Sequence, residues 1–356
     1  MGKKKLLVIF GGHSMEYYAA CKAFAGLIDY IDKDMFNVIQ IGVTYEGDWF
    51  LTNATSKEIF DGETWTQRED NRRAIISPIR NKGSIMVLED DKYYEEKIDV
   101  VFPYIVGYGG EDGRLQGLLD WSNIPYVGSG VAASANCMDK ELTRVFAESC
   151  GLKQPDCVIV TKAQYESIGK EVAPLISFDY PVFVKPATGG TSVGVSRVDC
   201  AEELENAMEE SFKYDDKTLI EQGIKGTEIK VAVLETEKGL ENGAICEIVM
   251  DPETVNDYET KVNKSSTKHI PAQFSKDLEE EIIEQAKRIF KCLDCRGFAR
   301  VDFFLTPEKE LIFNEINTVP GLGKDSLYSV MFEKAGIPFT KLLTKLIQSS
   351  FFKNYT

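Results

Sequence analysis

The chain has 356 residues, 43% of them hydrophobic, with 57 acidic against 41 basic side chains and a formal charge of -16. That length predicts two or three structural units with real cores, and the acidic balance excludes a polyanion as principal partner, because phosphate backbones are bound by clustered lysine and arginine. No run reaches the roughly 18 apolar residues that cross a bilayer, so a soluble, cytoplasmic protein without nucleic-acid or membrane partners is expected.

The basic start Lys3-Lys4-Lys5 precedes an apolar run of only Leu6 to Phe10 before two glycines, a buried strand and not an export signal. A helix through Ala20–Ile31 and strands at Val38–Val43 and Val100–Ile105 follow. This alternation favours a helix-covered parallel sheet over residues 1–128. Residues 53–92 are polar and turn-rich and show no further order. Gly11-Gly12 raises a dinucleotide-binding fold, but the three-glycine spacing is missing and no acidic residue closes a second strand.

Residues 129–219 read as a smaller α+β unit: a helix at Asp139–Cys150, a strand at Cys157–Thr161, and strands Val182–Lys185 and Val193–Val198 around a glycine loop. The last unit, 220–356, takes in the strand Lys217–Ile220 with its continuation, the strand Ile229–Leu234 and a polar stretch at 250–272. A charged helix Lys276–Cys292 and strands Phe298–Leu305 and Glu310–Ile316 complete it. No internal repeat is visible. Of the eight cysteines only Cys292 and Cys295 have metal-like spacing, and with two histidines in the chain no second ligand pair is evident; reduced thiols are expected.

The strand pair near the C-terminus carries the most chemistry. Period two puts Phe298, Arg300, Asp302 and Phe304 on one face. A two-residue turn at Glu308-Lys309 sets Asp302 across from Glu315, Arg300 across from Asn317 and Phe304 across from Phe313. Facing carboxylates destabilise a sheet unless a cation offsets them, and two carboxylates with an amide oxygen suit magnesium shared with a nucleotide's phosphates. A different turn length, or acids on a solvated face, remains the alternative.

Phe183-Val-Lys185-Pro-Ala-Thr-Gly-Gly-Thr-Ser-Val-Gly194 is a candidate phosphate cradle, with small residues that let N-H groups approach an anion. It lacks the order of a Walker loop. Lys185, closing an apolar strand, suits phosphate contact, whereas Lys140 at a helix start could equally be solvated. The stretch 250–273 holds Lys261, Lys264, Lys268 and His269 without hydrophobic period and reads as a lid.

Taken in order, these pieces resemble the D-alanine-D-alanine ligase family of ATP-grasp enzymes, with its D-Ala-D-Ser and D-Ala-D-lactate relatives. The matching motifs are Phe10-Gly-Gly-His-Ser-Met-Glu16, Gly109-Gly-Glu-Asp-Gly113, Met138-Asp-Lys140, Lys185-Pro with its loop, Gly226-Thr-Glu228, Arg300-Val-Asp302 and Asn314-Glu-Ile-Asn-Thr-Val-Pro-Gly321.

The resemblance implies an ATP-grasp fold of three domains and ATP with Mg²⁺ (or Mn²⁺) as cofactors. Lys140, Lys185, Thr191 and Ser192 would meet phosphates, the backbone after Glu221 the adenine, Glu228 the ribose hydroxyls, and Lys261 the γ-phosphate. Asp302, Glu315 and Asn317 would hold the metal. Glu16 would bind the donor amine, Arg300 and the Gly321 N-H the oxyanion, and Ser326 the acceptor carboxylate. It further implies small amino-acid substrates, a homodimer and a role in cell-wall precursor synthesis.

The chain departs from the family pattern at Val106, Thr191 and Val262, and at Lys324-Asp325, which place an ion pair beside the acceptor site. The competing readings are a ligase for another amino-acid pair and a nucleotide-binding regulator that no longer ligates.

Overall fold

The alternation at the N-terminus produces three parallel strands. β1 (Lys4–Gly11) lies between β2 (Phe36–Val43) and β7 (Val100–Tyr104) and runs parallel to both. Leu6 to Phe10 are fully buried, as a strand covered on both faces requires. The structure, a computed structural model, describes residues 2–249 and 267–352; Lys261, Val262 and Lys264 lie outside the described residues. The first helix spans Tyr17–Ile28, three residues earlier at each end than its apolar pattern suggested.

The polar stretch without visible order is an antiparallel extension of this sheet. β3 (Trp49–Thr52), β4 (Arg72–Ile76), β5 (Ser84–Glu89) and β6 (Lys92–Lys97) add to it in the order β6-β5-β4-β3-β2-β1-β7. Ala74, Ile76, Ile85 and Val87 point into a core beneath β1, so a period-two signal was present in two short strands separated by turns.

A second, antiparallel sheet has the order β10-β9-β11-β8, from β8 (Cys157–Thr161), β9 (Val182–Pro186), β10 (Ser196–Val198) and β11 (Lys217–Gln222). β10 starts three residues later than expected, because Gly194 at φ 70° keeps the loop turning. β11 runs through position 220 and pairs with β8 and β9 on both sides. This sheet has its own core, built on Val182, Val184, Ile220 and Met208.

The third sheet contains β12 (Thr227–Thr236), β13 (Gly239–Asn242), β14 (Cys246–Val249), β15 (Thr267–His269), β16 (Phe298–Leu305) and β17 (Leu311–Asn317). Lys268 and His269, read as lid, therefore lie in a strand paired with β14. Alternation along β12 and β16 covers both faces. Ile229, Val231, Val233, Ala299, Val301 and Phe303 pack on one side with the helices Val131–Met138 and Lys276–Cys292. Ala232, Leu234 and Phe298 join the other core, which also contains Leu6, Val8 and Phe10 of β1 and the C-terminal helix Phe339–Ser349.

The hairpin register agrees with expectation for its first half and then shifts. Arg300 faces Asn317 and Asp302 faces Glu315, but a bulge after Asp302 sets Phe303 against Phe313 and Phe304 against Ile312. The connection is three residues, Pro307-Glu308-Lys309, closed by Thr306 N-H to Glu310 O at 3.0 Å, with Lys309 at φ 67°. A type I turn followed by one left-handed residue is a favoured three-residue solution, and the extra residue, Asn314, absorbs the offset.

All eight cysteines are free thiols, as expected. Among the described residues no helix is long and apolar enough to cross a membrane.

Candidate active site

Asp302 and Glu315 do face each other, and the protein supplies cations of its own to offset them. Asp302 is 1% exposed. Its Oδ1 accepts from Arg300 Nε at 2.7 Å, while Oδ2 accepts from Arg300 Nη2 at 2.8 Å and from Lys230 Nζ at 2.8 Å. Burial pushes the Asp302 carboxyl up, but Arg300 and Lys230 outweigh it and hold it well below the usual range. Glu315 is likewise lowered: burial and Asp302 act against its charge, and Lys140, Arg300 and Lys230 overcome them. Three basic side chains, Arg300, Lys230 and Lys140, thus offset the facing pair.

Lys230 was not anticipated. It follows Glu228 by two on β12 and so shares its face, and it lies directly opposite Asp302; its Nζ is 3.1 Å from Glu228 Oε2. The period-two pattern of Thr227–Thr236 held the signal, but only once β12 is placed beside β16.

Lys140 opens the helix Lys140–Ser149, fixed in place by Asp139, whose side chain accepts from the N-H groups of Glu141 and Leu142 at 2.9 and 3.2 Å. Its ammonium donates to Gly189 O at 2.9 Å, which ties it to the glycine loop; burial and the nearby charge of Lys185 lower its pKa. Lys185, 9% exposed, pairs with Glu221 at 2.5 Å, and Arg144 reaches the other oxygen of Glu221 at 3.2 Å. Glu221 therefore positions two cations with its side chain. Arg144 had no sequence signal.

The glycine loop turns through consecutive left-handed residues, Thr191 at φ 49° and Ser192 at φ 60°. Such backbone is costly for residues with a Cβ, and it clusters where a ligand is clamped. Thr191 hydrogen-bonds to Glu16, whose carboxyl is raised chiefly by burial, with Lys140 opposing and Glu315 adding to the shift. A Cβ on Gly190 would lie 3.0 Å from Glu16 Oε1, and one on Gly107 would lie 2.5 Å from Oε2. Glu16 thus sits where three segments meet.

A second unanticipated acid, Glu111, ties two of them. Its Oε2 accepts from Gly107 N-H at 2.7 Å and its Oε1 from Val319 N-H at 3.0 Å. Burial pushes this carboxyl up to about 8, with Glu16 adding to the shift and the two N-H donors and Arg300 opposing it. Tyr104 Oη accepts from Leu322 N-H at 3.0 Å, so the backbone around Gly321 is pinned from both sides. Ser326 precedes the helix Leu327–Lys334 without a side-chain capping bond, and a Cβ on Gly321 would lie 3.6 Å from its Oγ. Val106 packs against the main core, and its carbonyl accepts from Ser14 Oγ at 2.8 Å. Lys324 is not paired with Asp325 as expected; its ammonium lies over the Tyr30 ring, 5.6 Å from the centroid.

The oxygens present suit a hard cation at Glu315 and Asn317. Among the described residues the Glu315 carboxylate has one weak side-chain partner, Asn317 Nδ2 at 3.5 Å, and it stays ionised in a half-buried place. Asp302 can join such a shell only by giving up a contact with Lys230 or Arg300. What the arrangement offers is an anion cradle (loop, Lys140, Lys185), a cation seat and a guanidinium, converging beside Glu16.

Residues 5–129 match the family described as D-ala D-ala ligase N-terminus, and residues 146–348 match D-ala D-ala ligase C-terminus. The chain is 40% identical to a D-alanine--D-alanine ligase of Caldicellulosiruptor bescii, covering 99% of this chain and 97% of that one. It is 36% identical to a putative D-alanine--D-lactate ligase of Streptomyces coelicolor, covering 98% and 97%. Among solved structures it resembles the VanG D-Ala:D-Ser ligase of Enterococcus faecalis, with a TM-score of 0.87, 33% identity and 98% and 100% coverage. The D-alanine-D-alanine ligase of Coxiella burnetii is also similar, with a TM-score of 0.83 and 29% identity over 98% and 94%.

Proposed function

The chain belongs to the D-alanine-D-alanine ligase family, with the ATP-grasp fold, and from that membership we propose how its own residues perform ATP-dependent ligation of a D-Ala-D-X dipeptide or depsipeptide for cell-wall precursors. One observation carries the assignment of roles: Glu16 at the start of the first helix, Lys140 at the start of another, the strained glycine loop between β9 and β10 and the Arg300-Asp302-Glu315 hairpin meet around one space.

In this reading Lys140, Lys185, Thr191 and Ser192 hold the phosphates, while Glu221 and Glu228 border the adenosine. Lys261 belongs to the same set by its place in the sequence. Glu315 and Asn317, with Asp302, hold Mg²⁺ or Mn²⁺, which when bound shields the phosphate charge. Glu16 receives the donor's amino group. The donor carboxylate then attacks the γ-phosphorus and releases ADP. The acceptor's amine or hydroxyl attacks the acyl phosphate, phosphate leaves, and the attacking group gives up its proton. Arg300 has Nε and Nη2 on Asp302, which leaves Nη1 for the oxyanion, with the Gly321 N-H as the second donor. Ser326, beside Gly321, receives the acceptor carboxylate in this reading.

The same reading divides the chain at 1–128, 129–219 and 220–356, with the second boundary moved past Gln222 to keep β11 whole. It makes the protein a cytoplasmic homodimer, which light scattering tests. The functional test is phosphate release over D-Ala, D-Ser, D-lactate and L-amino acids with mass detection of product. Dipeptide or depsipeptide made in step with phosphate supports the reading. ATP binding without any product transfers support to the regulator alternative.

A further inference from the structure

Lys230 is the strongest unassigned feature of the site. Its side chain is 13% exposed, and it is shared between Asp302 Oδ2 at 2.8 Å and Glu228 Oε2 at 3.1 Å. Lys230 touches both the acid assigned to the metal and the acid assigned to the ribose, and it does so from the strand paired with the hairpin.

Both oxygens of Asp302 are already occupied by cations. A divalent ion arriving alone meets Glu315 and Asn317 together with the positive charges of Lys230 and Arg300. An ion arriving with nucleotide brings phosphate anions that offset the repulsion and give the ammonium an acceptor other than Asp302.

Resting on the ligase reading above, we propose that Lys230 is a built-in counter-cation that holds Asp302 until nucleotide arrives, so that divalent metal enters the hairpin only together with nucleotide. Lys230 is thus a positioning residue. It sets the order of loading, and it yields Asp302 to the metal by turning toward the phosphates or the ribose edge at Glu228.

The test is Mn²⁺ binding to the full chain followed by electron paramagnetic resonance, in the wild type and in Lys230→Met and Lys230→Arg, without nucleotide and with ADP. Wild type and Lys230→Arg are expected to take up Mn²⁺ weakly alone and more tightly with ADP. Lys230→Met is expected to bind Mn²⁺ alone about tenfold more tightly, the effect of deleting one unit charge a few ångströms from a divalent ion. A folded Lys230→Met with wild-type Mn²⁺ affinity overturns the proposal. If that variant does not fold, Lys230→Gln takes its place, with tighter Mn²⁺ binding without nucleotide supporting the proposal and wild-type affinity overturning it. Loss of the ligase reading would appear separately, as absence of product in the phosphate-release assay with these metal affinities unchanged.

Discussion

Replacing Glu111 with glutamine should flatten part of the protein's pH-stability profile. The carboxyl of Glu111 is raised from an ordinary 4.5 to about 8. It keeps its proton in the folded chain over a range where the unfolded chain has lost it. The stability this provides is complete below about pH 4.5 and is lost as pH climbs toward 8. The full slope for one proton is about 1.4 kcal/mol per pH unit, and because Glu111 is half-buried, solvent screens part of it. A loss of about 1.5 kcal/mol between pH 5 and 7 follows.

Glutamine cannot titrate, and its amide nitrogen faces an N-H where an oxygen stood. Glu111→Gln should therefore carry a constant penalty of about 1–3 kcal/mol for one unpaired donor and no slope from this site. Urea unfolding of both proteins at pH 5, 6, 7 and 8 measures the difference directly. A wild-type-minus-variant difference that stays flat from pH 5 to 8 would refute the reasoning.

Other substitutions probe the remaining geometry. Gly107→Ala adds a Cβ 2.5 Å from Glu16 Oε2 at a backbone φ of 78°, so stability should fall by about 1–2 kcal/mol and the KM for the donor should rise, as initial-rate kinetics would show. Lys185→Met leaves Glu221 buried with Arg144 as its remaining partner; a loss of about 3 kcal/mol is expected by chemical unfolding, with weaker nucleotide binding by calorimetry. Tyr104→Phe removes the acceptor for Leu322 N-H and should cost about 1–3 kcal/mol in thermal unfolding. Chelation by EDTA should stop phosphate release, and Mg²⁺ or Mn²⁺ should restore it.

The sequence disclosed those parts of the site that depend on local period. Facing acids on a hairpin, a lysine just after a capping aspartate and a glycine-rich turn each follow from side-chain spacing within some ten residues. Lys230 and Glu111 do not. The first acquires its meaning from the alignment of β12 with β16, the second from an N-H 208 positions away. The bulge at Asn314 was hidden for a related reason: an inserted residue leaves the alternation on either side intact, and only the partner strand reveals the slip. In residues 53–92, brief strands separated by turns gave too few periods to distinguish from loop.

The core that unites β1 with Phe298, Tyr328 and Leu342 has a consequence for synthesis. Leu6 and Val8 are covered early by the helix Tyr17–Ile28, yet the core they belong to is completed only by the helix Phe339–Ser349, made more than three hundred residues later. β1 must wait, oily and half-covered, until that helix has been made. Deleting residues 339–349 should therefore yield aggregation through the uncovered core around β1, and a nascent chain stalled before that helix is a natural client for a holding chaperone.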